Sequence, residues 1–141
     1  MYVSLHCKTN LNSKKMKATK ITYWTSTIII AIMMAFSAYS YFTNPVVKQG
    51  FLHLGFPDYF RVELAIAKLI GAVLLLIPLH ARIKEWVYAG FTITFISAFI
   101  GHLVSGDPAQ HSIMPLIFLI PLAISYFSYH KMQTANRLAV A

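Results

Sequence analysis

Four apolar segments, joined by short polar or turn-forming stretches, dominate the pattern along this chain. They cover about residues 23–42, 62–79, 86–104 and 113–129. Each has the length, about 17–20 residues, of an α-helix that crosses the hydrocarbon of a bilayer. Tryptophan and tyrosine residues lie near the segment ends, as they do at membrane interfaces. The pattern predicts an all-α protein, an integral membrane four-helix bundle.

Polar and basic stretches lie at both ends of the chain. Residues 1–21 carry five lysines and no acidic residue, and we expect a disordered cytoplasmic tail here. The membrane domain then covers residues 22–130, and residues 131–141 form a short cytoplasmic tail. Met16 begins a stretch that resembles a bacterial translation start, so residues 1–15 are expected to be an extension without a role in folding.

The first apolar segment allows a second interpretation. A basic stretch, an apolar core and Ala38-Tyr39-Ser40 together resemble a secretory signal peptide with its cleavage site. The length of the apolar stretch and the aromatic residues at its far end favour a retained membrane helix. A mature protein that begins near Tyr41 would indicate cleavage instead.

Composition supports a membrane protein. The chain is 57% hydrophobic and 11% charged, whereas soluble domains carry about 25% charged residues. The net charge of +8 does not indicate nucleic acid binding, because the basic residues flank apolar segments and form no stripe on a soluble module. Cys7 is the only cysteine, which excludes an internal disulfide, a thiol–disulfide relay and a cysteine-ligated metal.

Loop charges predict the orientation. Basic residues concentrate in the N-terminal tail, in the loop with Arg82 and Lys84, and in the C-terminal tail. The positive-inside rule places these regions, and hence both termini, in the cytoplasm. Residues 43–61 and 105–112 then face outward.

The first outward loop is too apolar for a solvated linker. Its sequence predicts a short helix in the membrane interface that ends at Gly55. Asp58 is predicted as the N-cap of the helix that follows.

Lys68 is the residue that fits its apolar segment least. Its ammonium costs about 2.5–3.5 kcal/mol in hydrocarbon on insertion scales, so such a residue normally faces protein or a water-filled cavity. Helical spacing places it on a face of small residues with Ala65 and Ala72, about 10 Å below the outer edge. The alternatives to a binding or proton-handling role are a snorkelling lysine that binds nothing, or an ion pair with Asp107 or with Glu63 of a second copy.

A stripe of small residues on the third segment ends in His102, near the outer surface. We therefore expect Lys68 and His102 to line one outward-opening pocket, with Tyr39 as a third wall. Glu63 and Asp107 complete the candidate ligand-binding set. The sequence contains no Gly-rich phosphate loop, nucleophile elbow or paired carboxylates, so catalytic residues are unknown and an enzyme acting by itself is disfavoured. No metal site is expected.

Several motifs follow one another in a characteristic order: Gly55 to Phe60, Leu64 to Ala72 with Lys68 inside it, Lys84 to Phe91, and Ser97 to His102 before Gly106-Asp107. Together they resemble the DoxX-like family of small bacterial four-helix membrane proteins, over about residues 22–130. The resemblance implies a four-helix integral membrane fold. The family takes its name from a subunit associated with a quinone-linked oxidoreductase in archaea, so a quinone is implied by analogy alone, and no catalytic residue can be carried over.

These observations predict a multi-pass protein of the bacterial cell (inner) membrane, an accessory or small-ligand-binding subunit with an outward-facing pocket. The alternatives are a redox subunit of a quinone-linked oxidoreductase, in which Lys68 and His102 handle protons or bind the head group, and a small oligomeric transporter. The residues themselves indicate no cofactor. The expected partners are the lipid bilayer and either further copies of the chain or another membrane subunit, but no nucleic acid.

Overall fold

The computed structural model describes the backbone of residues 2–140 and the side chains of residues 14–138. All regular secondary structure in this part of the chain is α-helical, and it contains no strand. Its five helices are α1 (Tyr2–Thr43), α2 (Pro45–His53), α3 (Asp58–Leu76), α4 (Ala81–Val104) and α5 (Ala109–Val140).

Three of these helices are long and apolar enough to cross a membrane. They are α1 over Lys14–Thr43, α4, and α5 over Ala109–Leu138. The predicted all-helical, multi-pass membrane architecture is therefore confirmed. The fourth predicted span corresponds to α3, which has 19 residues, four of them charged, and is not among the three.

The first and last helices, α1 and α5, are both longer than the helices that the apolar segments predict. The structure continues α1 through residues 2–21 and α5 through residues 131–140, where the sequence predicted a disordered and a short tail. No glycine or proline precedes Pro45, so no residue interrupts helix propagation along α1. The side chain of Cys7, and most of the predicted 1–15 extension, lie outside the described side chains.

The short helix predicted between the first and second apolar segments is present as α2. Asn44 caps it by accepting a hydrogen bond from the amide of Val46 at 2.9 Å. The prediction that Asp58 caps α3 is wrong, because Pro57 occupies the N-cap position and makes no side-chain cap. Asp58 is instead the first helical residue, and its carboxylate accepts a hydrogen bond from Arg61 at 2.9 Å.

The connections from α2 to α3 and from α4 to α5 use the same turn. After each first helix, one capping residue is followed by a glycine with positive φ, Gly55 at 80° and Gly106 at 72°, a conformation that glycine adopts without strain. In both, the next residue donates its amide to a carbonyl five residues earlier, at 2.9 and 3.1 Å. A proline then precedes the following helix.

The long helices form a ring in which α1 packs on α3 and α5, and α4 packs on α5 and, less extensively, on α3. Ile30 and Leu75 are fully buried in its core. Ser125 links three helices through hydrogen bonds between hydroxyls, to Thr27 at 2.6 Å and to Tyr88 at 2.8 Å. These bonds pair hydroxyl groups that would otherwise be buried without a hydrogen-bond partner.

Candidate functional site

Lys68 lies buried between α3 and α1. The residue is 6% exposed, and its ammonium donates hydrogen bonds to Ser37 Oγ at 3.0 Å and to Tyr41 Oη at 2.6 Å. Nζ also lies 3.9 Å from the centre of the Tyr41 ring, within cation–π distance. Among the described side chains, no carboxylate lies within ion-pair distance of this ammonium. Two hydroxyl groups therefore hold the buried charge.

The two acceptors are placed by α1. Ser37 and Tyr41 are one helical turn apart and so lie on one face. Between them, Ala38 is buried with no exposed surface, as is Ala65 on α3, and such small residues allow membrane helices to approach closely. Tyr41 precedes the end of α1 by only two residues, so the Lys68 ammonium is directed toward that end of the helix, as a snorkelling lysine is.

Helix α2 lies over the end of the bundle nearest to this lysine's hydroxyl partners. Its one buried residue, Phe51, packs edge-on against Tyr41, with ring centres 4.9 Å apart. The turn after α2 lies against α4, because a Cβ added at Gly101 would lie 3.9 Å from Leu54 and 4.0 Å from Phe56. The apolar loop predicted from the sequence thus contributes a wall of the Lys68 site.

A groove of about 380 Å³ runs between α3 and α4 and has Lys68 in its wall. Apart from the Trp86 indole, its polar side chains are Lys68 and Thr94. The Thr94 hydroxyl donates to the carbonyl of Gly90 at 2.8 Å. Ile70 and Trp86 line the groove and are 55% and 80% exposed, so it opens on the outside of the bundle, the side that faces lipid in a membrane.

The structure separates the other predicted site residues from Lys68. Tyr39 is 64% exposed, and Tyr41, about 200° further around α1, contacts the ammonium in its place. Glu63 is also exposed. His102 does not line the groove, although Thr94, two turns earlier on the predicted small-residue stripe, does.

His102 and Asp107 belong to a second cluster, at the end of the bundle where α2 lies. Asp107 accepts hydrogen bonds from His102 Nδ1 at 2.6 Å and from His53 Nε2 at 3.0 Å. The hydrogen bond from His102, followed by that from His53, holds the pKa of the Asp107 carboxyl below its usual value. Asp107 therefore ties the end of α2 to the end of α4, and its carboxylate is engaged away from Lys68.

A second buried lysine was missed by the sequence analysis. Lys84 is 4% exposed and donates hydrogen bonds to Tyr23 Oη at 2.6 Å and to the carbonyl of Leu75 at 3.2 Å. Leu75 lies in the last turn of α3, where carbonyls have no partner within the helix. Lys84 therefore donates a hydrogen bond to an otherwise unpaired carbonyl at the end of α3 and links that end to α1.

The sequence did contain a signal for this burial. Lys84 had been assigned to a cytoplasmic loop, but α4 begins at Ala81. From there Lys84, Tyr88, Phe91 and Phe95 follow at i+4 and i+3 spacing, and all four are buried. Starting the third span five residues earlier would have placed Lys84 on the packed face.

The described side chains include no group of three or more histidine, cysteine, aspartate or glutamate residues placed to hold a metal ion. The chemistry that the site offers is therefore that of a buried ammonium beside an apolar groove. Such an arrangement can bind a hydrogen-bond acceptor or an anion that carries an apolar group.

Comparison with known proteins adds one match. The model of the DoxX-like family matches residues 25–125, a stretch that includes Lys68, Lys84 and His102. No curated protein and no solved structure matches the chain. Because the matched stretch covers well over half of this multi-pass membrane protein, the chain belongs to the DoxX-like family.

Proposed function

We propose that this protein is a small-ligand-binding accessory subunit whose ligand occupies the α3–α4 groove beside Lys68. The observation that carries the proposal is the burial of the Lys68 ammonium with two hydroxyl partners and no carboxylate in the described part of the chain. A charge in an apolar setting is costly, and a role in binding accounts for that cost. In the proposed topology the groove extends from Leu64, on the α2 side, to Leu74 and Ile83 near the cytoplasmic ends of α3 and α4.

Purified protein tests this proposal. The wild type, Lys68→Met and the matched control Lys131→Met, which alters an exposed lysine, are compared by native mass spectrometry after mild detergent extraction. A small-molecule adduct is expected on the wild type and on Lys131→Met but not on Lys68→Met. An adduct of equal abundance on all three, or none on the wild type, contradicts the proposal. A quinone in the adduct would favour the redox alternative.

In the proposed topology, α3 is a fourth span of the bacterial inner membrane, with both termini in the cytoplasm. Three of its four charged residues, Asp58, Arg61 and Glu63, lie in its first two turns, so Lys68 alone interrupts the rest. Single cysteines at Gln49 and Arg137, both exposed, in a Cys7→Ser chain test this. An impermeant maleimide should label Gln49→Cys in intact spheroplasts and Arg137→Cys only after permeabilisation; the reverse contradicts the topology.

A further inference from the structure

The acidic residues of this chain are all engaged elsewhere or exposed. The chain has four: Asp58 pairs with Arg61 and Lys48, Asp107 with two histidines, Glu85 lies 2.8 Å from His130, and Glu63 is exposed. Glu63 also lies about 140° around α3 from Lys68. Among residues 14–138, whose side chains the structure describes, none therefore supplies the Lys68 ammonium with a counter-ion.

The ammonium also has donor capacity to spare. A lysine ammonium carries three N–H groups, and Ser37 and Tyr41 accept hydrogen bonds from two of them. A buried positive charge with two neutral acceptors is stabilised further by an anion that also takes the third hydrogen. Lys68 is one of the residues that line the groove, whereas Ser37 and Tyr41 are not. An anion in the groove would therefore have to meet the ammonium on its groove side, away from these two acceptors.

The groove has the shape for one alkyl chain. It follows α3 from Leu64 to Leu74, a length of about 15 Å, and its volume of about 380 Å³ lies at the small end of ligand pockets. Gly71 and Gly90 add no side chain to its walls. Its exposed rim at Ile70 and Trp86 lets a ligand enter sideways from the bilayer.

We propose that the groove binds a single-chain amphiphile with a carboxylate head group, of the fatty-acid class, and that Lys68 holds the head group through its ammonium. This inference rests on the proposed function and specifies its ligand. The carboxylate neutralises the buried charge, and the alkyl chain covers the apolar wall that α3 and α4 leave open.

Photo-crosslinking in detergent or nanodiscs tests the head group. Two probes with the same diazirine-bearing sixteen-carbon chain, one ending in a carboxylate and the other in an alcohol, are applied to the wild type, Lys68→Met and Lys131→Met. The carboxylate probe should label α3 and α4 peptides of the wild type about tenfold more than the alcohol, as expected for a charge-assisted hydrogen bond. Lys68→Met should abolish that preference, whereas Lys131→Met should retain it.

The other outcomes separate this inference from the proposed function. Equal labelling of the wild type by both probes, lost in Lys68→Met, overturns the carboxylate but leaves the groove as a ligand site. Labelling that does not depend on Lys68, or the absence of labelling in the groove, overturns both the carboxylate ligand and the proposed function. Competition by phosphatidic acid but not by free fatty acid assigns the site to a phospholipid and overturns the single-chain ligand. The comparison of probes on the wild type holds even if Lys68→Met folds poorly.

Discussion

The ammonium of Lys68 on α3 lies 2.6 Å from the hydroxyl of Tyr41 on α1. The same relationship recurs between Lys84 on α4 and Tyr23 on α1, also at 2.6 Å. The two tyrosines are 18 residues apart on one helix, which is about 27 Å along its axis, close to the thickness of the hydrocarbon core. Helix α1 thus binds one buried lysine near each end of its apolar part.

We expect Tyr41→Phe to destabilise the protein. The substitution keeps the ring against Phe51 but removes one of the two acceptors of the buried ammonium, and a hydrogen bond to a charged group contributes about 1.5–3 kcal/mol. Tyr39→Phe is the matched control, because Tyr39 is exposed two residues away. Thermal unfolding in detergent should show the loss for Tyr41→Phe alone; equal effects would mean that Lys68 does not depend on Tyr41.

The second lysine should matter for stability and not for binding. Lys84→Met removes the hydrogen bonds to Tyr23 and to the Leu75 carbonyl, and a loss of about 2–3 kcal/mol in unfolding free energy is expected. Hydrogen exchange should also become faster in the last turn of α3. Arg82→Met, at an exposed position, should change stability by less than about 0.5 kcal/mol. Similar values for the two variants would contradict the role of Lys84.

Replacement of Gly71 is expected to be costly, because this glycine lies at the contact between α3 and α4. A Cβ at this position would lie 2.7 Å from the ring of the buried Phe91, so Gly71→Ala should cost about 1–3 kcal/mol through overpacking. At Gly90 a Cβ meets nothing within 4 Å, so Gly90→Ala should be neutral or stabilise by about 0.5–1 kcal/mol. Phe91→Leu should partly rescue Gly71→Ala, and a failure of rescue would place the strain elsewhere.

The stabilisation that Asp107 contributes should be lost in acid. Its pKa is lower in the folded protein than in the unfolded chain, so its contribution is complete above the unfolded pKa, about 3.9, and is lost as pH falls through the folded pKa. Below about pH 4, Asp107→Asn should flatten the dependence of melting temperature on pH. Glu63→Gln, an exposed acid, should leave it unchanged. An unaltered slope in Asp107→Asn would show that the hydrogen bonds of Asp107 with His53 and His102 contribute nothing to stability.

The long apolar runs were enough to locate three helices that are able to cross a membrane, because length and apolar composition identify such helices. The apolar loop at residues 46–54 likewise predicted α2. The partners of Lys68 could not be predicted, because the choice between Tyr39 and Tyr41 depends on how α1 is rotated against α3. The pairing of Asp107 with His53 was missed for a related reason: it joins two turns that are distant in sequence and depends on where α2 docks.

The central claim is that the Lys68 ammonium binds the carboxylate of an amphiphile in the α3–α4 groove. Solid-state NMR of ¹⁵N-lysine protein in bilayers, with a fatty acid labelled with ¹³C at its carboxyl carbon, measures that contact as a dipolar coupling. The account predicts a coupling that corresponds to about 4 Å between Nζ and the carboxyl carbon, present in the wild type and absent in Lys68→Met. No coupling in the wild type, or an equal coupling in Lys68→Met, would contradict it.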